Sequence, residues 1–146
     1  MAAAIHDIRP RPARAAATRL LEAASLPASD LTDEHLDHFF YCGPAAAPAG
    51  LVGLELFGTD ALLRSLVVTS GARAAGTGSA LVRHAETYAL TQGVRRIFLL
   101  TTTAEAFFAR RGYSRMAREH APDSIRTTRE FADICPASSA LMVKTP

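Results

Sequence analysis

The chain has 146 residues, 49% of them apolar, and a formal net charge of +2. That length suits one domain with its own core, so residues 1–146 are read as a single domain. So small a charge argues against a nucleic-acid or anionic-membrane surface; no run is long and apolar enough to span a bilayer, and Asp7 and Arg9 interrupt any secretion signal.

Cys42 and Cys135 stand far apart, with no second cysteine or histidine at metal-ligand spacing. No metal site is expected, and two lone thiols suit a reducing, cytoplasmic compartment. Lys144 is the only lysine; all other fixed positive charge is arginine, which suits bidentate contact with carboxylates and phosphates.

In chain order, residues 4–10 (AIHDIRP) read as a short strand closed by Pro10. Residues 13–27 have helical composition, with Leu20, Leu21 and Ala24 on one face and Pro27 as a stop. Residues 29–40 are a polar, weakly helical connection. Residues 37–42 and 51–58, joined by a turn-rich GPAAAPAG, predict a hairpin, and GTD predicts a second tight turn. Residues 61–69 (ALLRSLVVT) are nearly all apolar, as in a strand covered on both faces. A helix follows over 79–93, burying Leu81, Ala85 and Tyr88 and stopped by Gly93. Residues 95–103 predict a strand, 104–112 a short helix ended by Gly112, and 113–119 and 138–144 two further strands. Residues 122–136 have no clear period beyond room for a short helix. This order predicts a mixed α/β (α+β) domain around one central sheet.

The glycines of LVVTSGARAAGTGSA, residues 66–80, follow a strand and open a helix. Helix-initial amides lack internal partners and carry partial positive charge, and glycine lets a ligand approach the backbone. Gly76 and Gly78 therefore predict an anion site, most simply for a phosphate. Thr77 stands where a Walker loop needs lysine, and GTGSAL lacks the third glycine of a dinucleotide loop. What remains is Arg73, Gly76 and Gly78 in RAAGTG, which resembles the pyrophosphate-binding loop of the GNAT acetyltransferases. Downstream, FFARRGY, with Phe108, Gly112 and Tyr113, resembles that family's F/YxxxGF pattern. Most of the chain fits the resemblance. Stretches such as LLTTTAEAFFARRGY and REHAPDSIRTTREFADICPASSALMVK are similar to arsenic-resistance-associated N-acetyltransferases, and the first also to the acetyltransferase domain of N-acetylglutamate synthases.

The resemblance implies a GNAT-like domain with a mostly antiparallel sheet and helices on both faces. It implies acetyl-CoA as cosubstrate and a small, anionic amino acid or analogue as the amine. Main-chain groups of Arg73, Ala74, Ala75, Gly76, Thr77, Gly78 and Ser79 would hold the pyrophosphate, with the Arg73 guanidinium as an outer clamp. The pantetheine arm would pair with Leu66, Val67 and Val68, where a backbone N–H at the thioester carbonyl is typically worth about 3 kcal/mol. An amino-acid ammonium titrates about 2–3 units above neutral, so freeing the amine costs roughly 3–4 kcal/mol and a general base helps. Glu55, an acid in the apolar strand LVGLELF, is the first candidate; simple strand alternation toward solvent is the plainer alternative. Glu105 and His84 are weaker, and His6, His35, His38 and His120 have no supporting spacing.

Phe108 occupies the position where many of these enzymes carry a tyrosine that protonates the departing thiolate. No acid is assigned, because a thiol with pKa near 8.5 leaves with little help. Arg64 interrupts the central strand and needs a partner, either a ligand carboxylate or an internal acid; the ligand is favoured. Thr101 and Thr102, with Thr103, close a strand and either bond the acceptor or cap the next helix. Arg129 joins the acceptor site by resemblance. Other readings stay open: a non-catalytic acetyl-CoA sensor, suggested by Phe108; a protein acetyltransferase, which needs an open groove; and an interaction module whose glycines form a structural turn. Self-association to a homodimer is also left open.

Overall fold

The computed structural model describes residues 7–73, 76–136 and 138–146. Along these, the chain forms β1 (Arg9–Pro10), α1 (Arg14–Ala23), α2 (Asp33–Leu36), β2 (Phe39–Cys42), β3 (Gly50–Phe57), β4 (Asp60–Val68) and α3 (Thr77–Thr91). Then come β5 (Arg96–Thr101), α4 (Glu105–Ala109), β6 (Ser114–Met116), a 3-10 turn (Arg118–His120), α5 (Asp123–Arg126), a π-turn (Glu130–Ile134) and β7 (Ala140–Lys144). The strand expected over 4–10 is seen at Arg9–Pro10; its first residues, with His6, lie outside the described residues.

The seven strands make one sheet in the order β1-β2-β3-β4-β5-β7-β6. Every neighbouring pair is antiparallel except β4 and β5, which the α3 crossover makes parallel. The sheet is thus mixed and mostly antiparallel, as expected. Gly58 and Thr59 form the two-residue turn between β3 and β4, with Gly58 at φ +67° supplying the left-handed residue.

Alternation sends successive side chains to opposite faces. Phe40, Cys42, Val52, Leu54, Leu63 and Ile97 pack on Leu81, Val82, Ala85 and Ala89 of α3. On the other face, Phe39, Tyr41, Leu51 and Val67 pack on Ala17 and Leu21 of α1, with Leu31 and Leu36. Leu62, Phe98 and Leu141 pack on Ile125 of α5. Covering both faces is why β2 is buried throughout. Burying each large side chain contributes roughly 1.5–3 kcal/mol. Gly53 is required by this packing: a Cβ there would sit 2.2 Å from the Phe39 ring.

The expected helix over 79–93 starts two residues earlier and ends at Thr91, with Gly93 at φ +86° and Val94 N–H closing back on the Ala89 carbonyl. Leu81 and Ala85 are buried; Tyr88 is half-buried, and its hydroxyl meets His38 Nδ1 at 2.7 Å. The helix expected over 13–27 ends at Ala23, because Ser25 turns left-handed at φ +58°, well before Pro27. The polar connection over 29–40 forms α2 through a capping box. Thr32 Oγ1 accepts from His35 N–H and Thr32 N–H donates to His35 Nδ1. Residues 122–136 hold α5 and the π-turn, two short turns whose differing periods explain why no single period was visible.

Candidate active site

One irregularity in β4 creates the site. Arg64 lies opposite Gly53, yet Val67 lies opposite Leu51, so β4 holds one residue more than β3 between these pairs. This is a β-bulge, and Ser65 in it takes φ +60°, which costs a non-glycine residue about 1–2 kcal/mol. The extra residue shifts parity. Leu66 and Val68 join Leu63 on the α3 face, while Val67 returns to the α1 face.

β4 pairs with β5 only at Asp60, Ala61 and Leu62, opposite Arg96, Ile97 and Phe98. Beyond that the strands splay and open a cleft of about 1100 Å³, whose walls include Leu63 through Val68 on one side and Leu99 through Thr103 on the other. Among the described residues no strand bonds the β4 edge facing this cleft, so its main-chain groups there, apart from the Val68 carbonyl taken by Arg73, are open to an extended ligand.

The N-terminus of α3 stands at the mouth. Gly76 caps the helix at φ +74°, with nothing within 4 Å of where its Cβ would be, so glycine is needed for backbone conformation and open approach. The first bond back to the cap runs from Ala80 N–H to the Gly76 carbonyl, so the Thr77, Gly78 and Ser79 amides precede the helix's own ladder. A Cβ on Gly78 would touch Phe107 at 3.4 Å, within ordinary contact. Thr77 is buried, and its hydroxyl donates to the Ala72 carbonyl at 3.0 Å. Arg73 lines the mouth, its Nε donating to the Val68 carbonyl at 3.0 Å. Ala74 and Ala75, expected in the same loop, lie outside the described residues.

Arg111, which the sequence reading missed, also lines the mouth. Its guanidinium stacks 3.6 Å over the Phe107 ring and donates through Nε to Ser79 Oγ at 2.9 Å. Burial and the like charges of Arg110 and Arg83 push its pKa down. Among the described residues no carboxylate forms an ion pair with any of these three arginines, so the mouth is a concentrated positive surface. The arginine pair of FFARRGY was the available signal.

Phe108 is buried, lines the cleft and packs edge-on to Tyr113 at 5.5 Å. Tyr113 points elsewhere: its hydroxyl donates to Glu86 at 3.0 Å, and burial, with the Glu86 charge, holds its proton well above the ordinary range. Thr101 Oγ1 accepts from Ala104 N–H at 2.9 Å, so it secures the turn into α4, while Thr102 and Thr103 line the cleft and are exposed.

At the inner end, the structure corrects two expectations. Arg64 is 3% exposed and already has carboxylate partners. Nη1 and Nη2 grip Asp30 at 2.5 and 2.7 Å, Nη1 also donates to Glu55 at 2.9 Å, and Glu130 lies 3.7 Å from Nη2. The expected ligand carboxylate thus has an internal substitute. Burial opposes charge on Arg64, but Asp30, Glu130 and Glu55 overcome it and raise its pKa. Burial likewise opposes ionisation of Asp30, but the Arg64 hydrogen bond and charge win and hold its carboxyl below the usual value. Glu55, the expected base, does not line the cleft. It faces neither solvent nor the cleft wall: one oxygen is bonded to Arg64 and the other is 3.8 Å from His35 Nε2.

The other site expectations separate similarly. Arg129 is exposed and does not line the cleft, because neighbouring residues in a helical turn point about 100° apart and it is Glu130 that turns inward. Glu105 pairs with Arg115 at 3.5 Å, and His84 packs against Phe40 with burial lowering its pKa. Glu130, Cys135 and Ser139 line the cleft from the chain's last third. Burial, more than the adjacent Glu130, pushes the Cys135 thiol up to about 12.

A sheet split between parallel strands, with a bulged strand on one side and a helix N-terminus at the mouth, defines an acetyltransferase type of α/β domain. A family profile described as Acetyltransferase (GNAT) family matches residues 3–115, and the chain belongs to that family. It is 32% identical over 93 residues to an uncharacterized N-acetyltransferase of Chlorobaculum tepidum, a match covering 63% of this chain and 59% of that one. Its fold is similar to N-acetylglutamate synthase from Neisseria gonorrhoeae, solved with coenzyme A and N-acetyl-glutamate. That match has TM-score 0.78 and 22% identity, covering 95% of this chain and 34% of the synthase. It is also similar to Rv2747 from Mycobacterium tuberculosis, solved with CoA and NLQ, at TM-score 0.75 and 18% identity, covering 95% of this chain and 98% of that one. The chain therefore spans about three fifths of the curated relative it matches.

Proposed function

We propose that the protein transfers the acetyl group of acetyl-CoA to the amino group of a small molecule, an amino acid or an analogue of one, while both are bound. The observation that carries this reading is the free edge of β4 running from the bulge at Ser65 to the uncapped amides of α3. In this reading the Thr77, Gly78 and Ser79 amides take the pyrophosphate, helped by the helix dipole. Arg73 and Arg111 clamp it from the rim. The pantetheine arm lies along Leu66, Val67 and Val68 as an added strand. Family membership and the coenzyme A in the Neisseria and Mycobacterium structures support the choice of cosubstrate.

Bound there, acetyl-CoA supplies an activated thioester. A β4 N–H polarising its carbonyl is worth about 3 kcal/mol. Phe108 offers no proton, so the sulfur leaves as thiolate, which its pKa near 8.5 permits. The acceptor reaches the carbonyl from the inner end, between Ala24–Pro27 and the Glu130–Ser139 segment. Walls on both sides favour a small amine over a peptide. The anionic class of acceptor rests on resemblance to the glutamate enzymes, since Arg64 is engaged internally. Two free cysteines accord with a reducing, cytoplasmic setting.

The test mixes the protein with acetyl-CoA and a panel of L-amino acids, an arsenical analogue and simple alkylamines, and follows release of free thiol. Turnover with at least one amine is expected. Acetyl-CoA binding without turnover on any amine would favour the sensor reading, for which Phe108 speaks. Absence of binding would remove both.

A further inference from the structure

We propose that Ser65 is a catalytic hydrogen-bond donor: its hydroxyl, held by Arg64, bonds the thioester carbonyl oxygen of acetyl-CoA and stabilises the negative charge that oxygen gathers during transfer. This rests on the acetyl-transfer reading above and adds a side chain to the single β4 N–H invoked there.

Position comes first. Ser65 lines the cleft and is half-buried. It lies in the bulge, at the inner end of the open β4 edge, whose outer end at Val68 stands beside Gly78 at the mouth. Three residues of strand, about 10 Å, separate the two ends. With the pyrophosphate on the α3 amides and the arm along Val68, Val67 and Leu66, the thioester falls next to Ser65.

Two unfavourable features converge on this hydroxyl. Ser65 holds φ +60°, a conformation glycine would take freely, so backbone shape alone gives no reason for a side chain here. Beside it, Arg64 is buried among Asp30, Glu55 and Glu130, an arrangement whose desolvation commonly offsets its attraction. Asp30 and Glu55 hold Nη1 and Nη2, which fixes the guanidinium plane and aims Nε at Ser65 Oγ, 3.1 Å away. Nε donates, so the hydroxyl proton points away from Arg64, and among the described residues it has no protein acceptor. A charged donor on the oxygen also strengthens the bond its own proton makes. The result is a fixed, polarised O–H on the cleft wall before any ligand arrives, as stabilising a developing oxyanion requires.

Other hydroxyls around the cleft are engaged or placed elsewhere. Thr101 accepts from Ala104 N–H, Ser79 is held by Arg111 at the mouth, and Ser139 Oγ is buried. Thr102 and Thr103 stand exposed on the opposite wall.

The step balances without moving a proton through Ser65. The amine nitrogen's lone pair bonds to the carbonyl carbon while the C=O pair moves onto the oxygen, which accepts from Ser65 O–H. That pair returns as the C–S bond breaks, and the sulfur departs with the C–S electrons. The proton shed by nitrogen passes to the thiolate or to water.

The experiment compares wild type, Ser65→Ala and Ser65→Gly; the glycine variant accepts φ +60° without strain and keeps the test open if the alanine variant fails to fold. Acetyl-CoA labelled with ¹³C at the carbonyl is added without amine. In wild type the bound carbonyl resonance should lie downfield of free acetyl-CoA. In both variants it should move part of the way back, the β4 N–H retaining the rest. With an acceptor from the amine panel, kcat should fall about a hundredfold. The deficit should be the same at pH 6 and pH 9, because Ser65 keeps its proton. Acetyl-CoA affinity by calorimetry and KM for the amine should stay within about threefold, since the bond strengthens in the transition state. A carbonyl resonance that both variants leave in place would overturn the assignment, as would a raised KM for the amine at unchanged kcat, the mark of an acceptor anchor. No bound carbonyl signal in wild type would remove the transfer reading and this assignment with it, whereas a bound but unmoved signal sinks the Ser65 assignment alone.

Discussion

Replacing Arg64 with methionine separates a structural cation from a substrate anchor. The Arg64 side chain is fully buried, and Asp30, Glu55 and Glu130 around it are 2%, 14% and 9% exposed. Removing the guanidinium strands these acids, and breaking a buried ion cluster from one side typically costs 3–5 kcal/mol, about a third or more of a small domain's stability. At roughly 3 °C per kcal/mol for a chain of this size, Tm should fall by about 10–15 °C at pH 8. The sign of the pH dependence follows from Asp30, whose folded pKa Arg64 holds below the unfolded value. Its contribution is complete above the unfolded pKa, near 4, and is lost as pH falls through the lower folded value. The gap between wild type and Arg64→Met should therefore hold from pH 8 down to about pH 4 and narrow only below it, followed by circular dichroism melts. An unchanged Tm at pH 8, with only the KM for the acceptor raised, would refute the internal role and restore Arg64 as a ligand anchor.

Gly78→Val places a branched side chain against Phe107 and Val68 at the mouth; acetyl-CoA affinity by calorimetry should drop at least about tenfold while Tm shifts by only a few degrees. Arg111→Ala should weaken acetyl-CoA about tenfold, the scale of one charge-assisted phosphate contact, and weaken acetyl-dephospho-CoA equally, since that cofactor keeps the pyrophosphate; a smaller loss for the dephospho form would show that Arg111, beside Arg83 and Arg110, meets the 3′-phosphate instead. Cys135, with its thiol pushed up to about 12, should react with iodoacetamide at pH 8 at least about a hundredfold more slowly than free cysteine, measured by mass spectrometry on the Cys135 peptide.

Elements whose signals are local were legible. The glycine turn, the long helix and its stop at Gly93, the two-residue turn at Gly58 and the sandwiching of β4 all follow from backbone freedom or periodicity within a few residues. The glycine loop proposed to hold the cofactor belonged to this group, because a strand, glycines and a helix start are contiguous in the chain. The acceptor side was not. Glu55 and Arg64 both stood out as charges in apolar strands, and both readings were reasonable from spacing. Only pairing β3 with β4 brings them to one face, and only the loop before α2 delivers Asp30 to the same point.

Length, patterning and the RAAGTG and FFARRGY motifs were enough to point to the class of domain and to the glycine loop proposed for a phosphate, since those features depend on local conformation. The tertiary structure alone decided which charges neutralise one another. A buried charge takes its partner from whatever the fold brings within about 4 Å. Here Asp30, Glu55 and Glu130, from three distant parts of the chain, converge on Arg64.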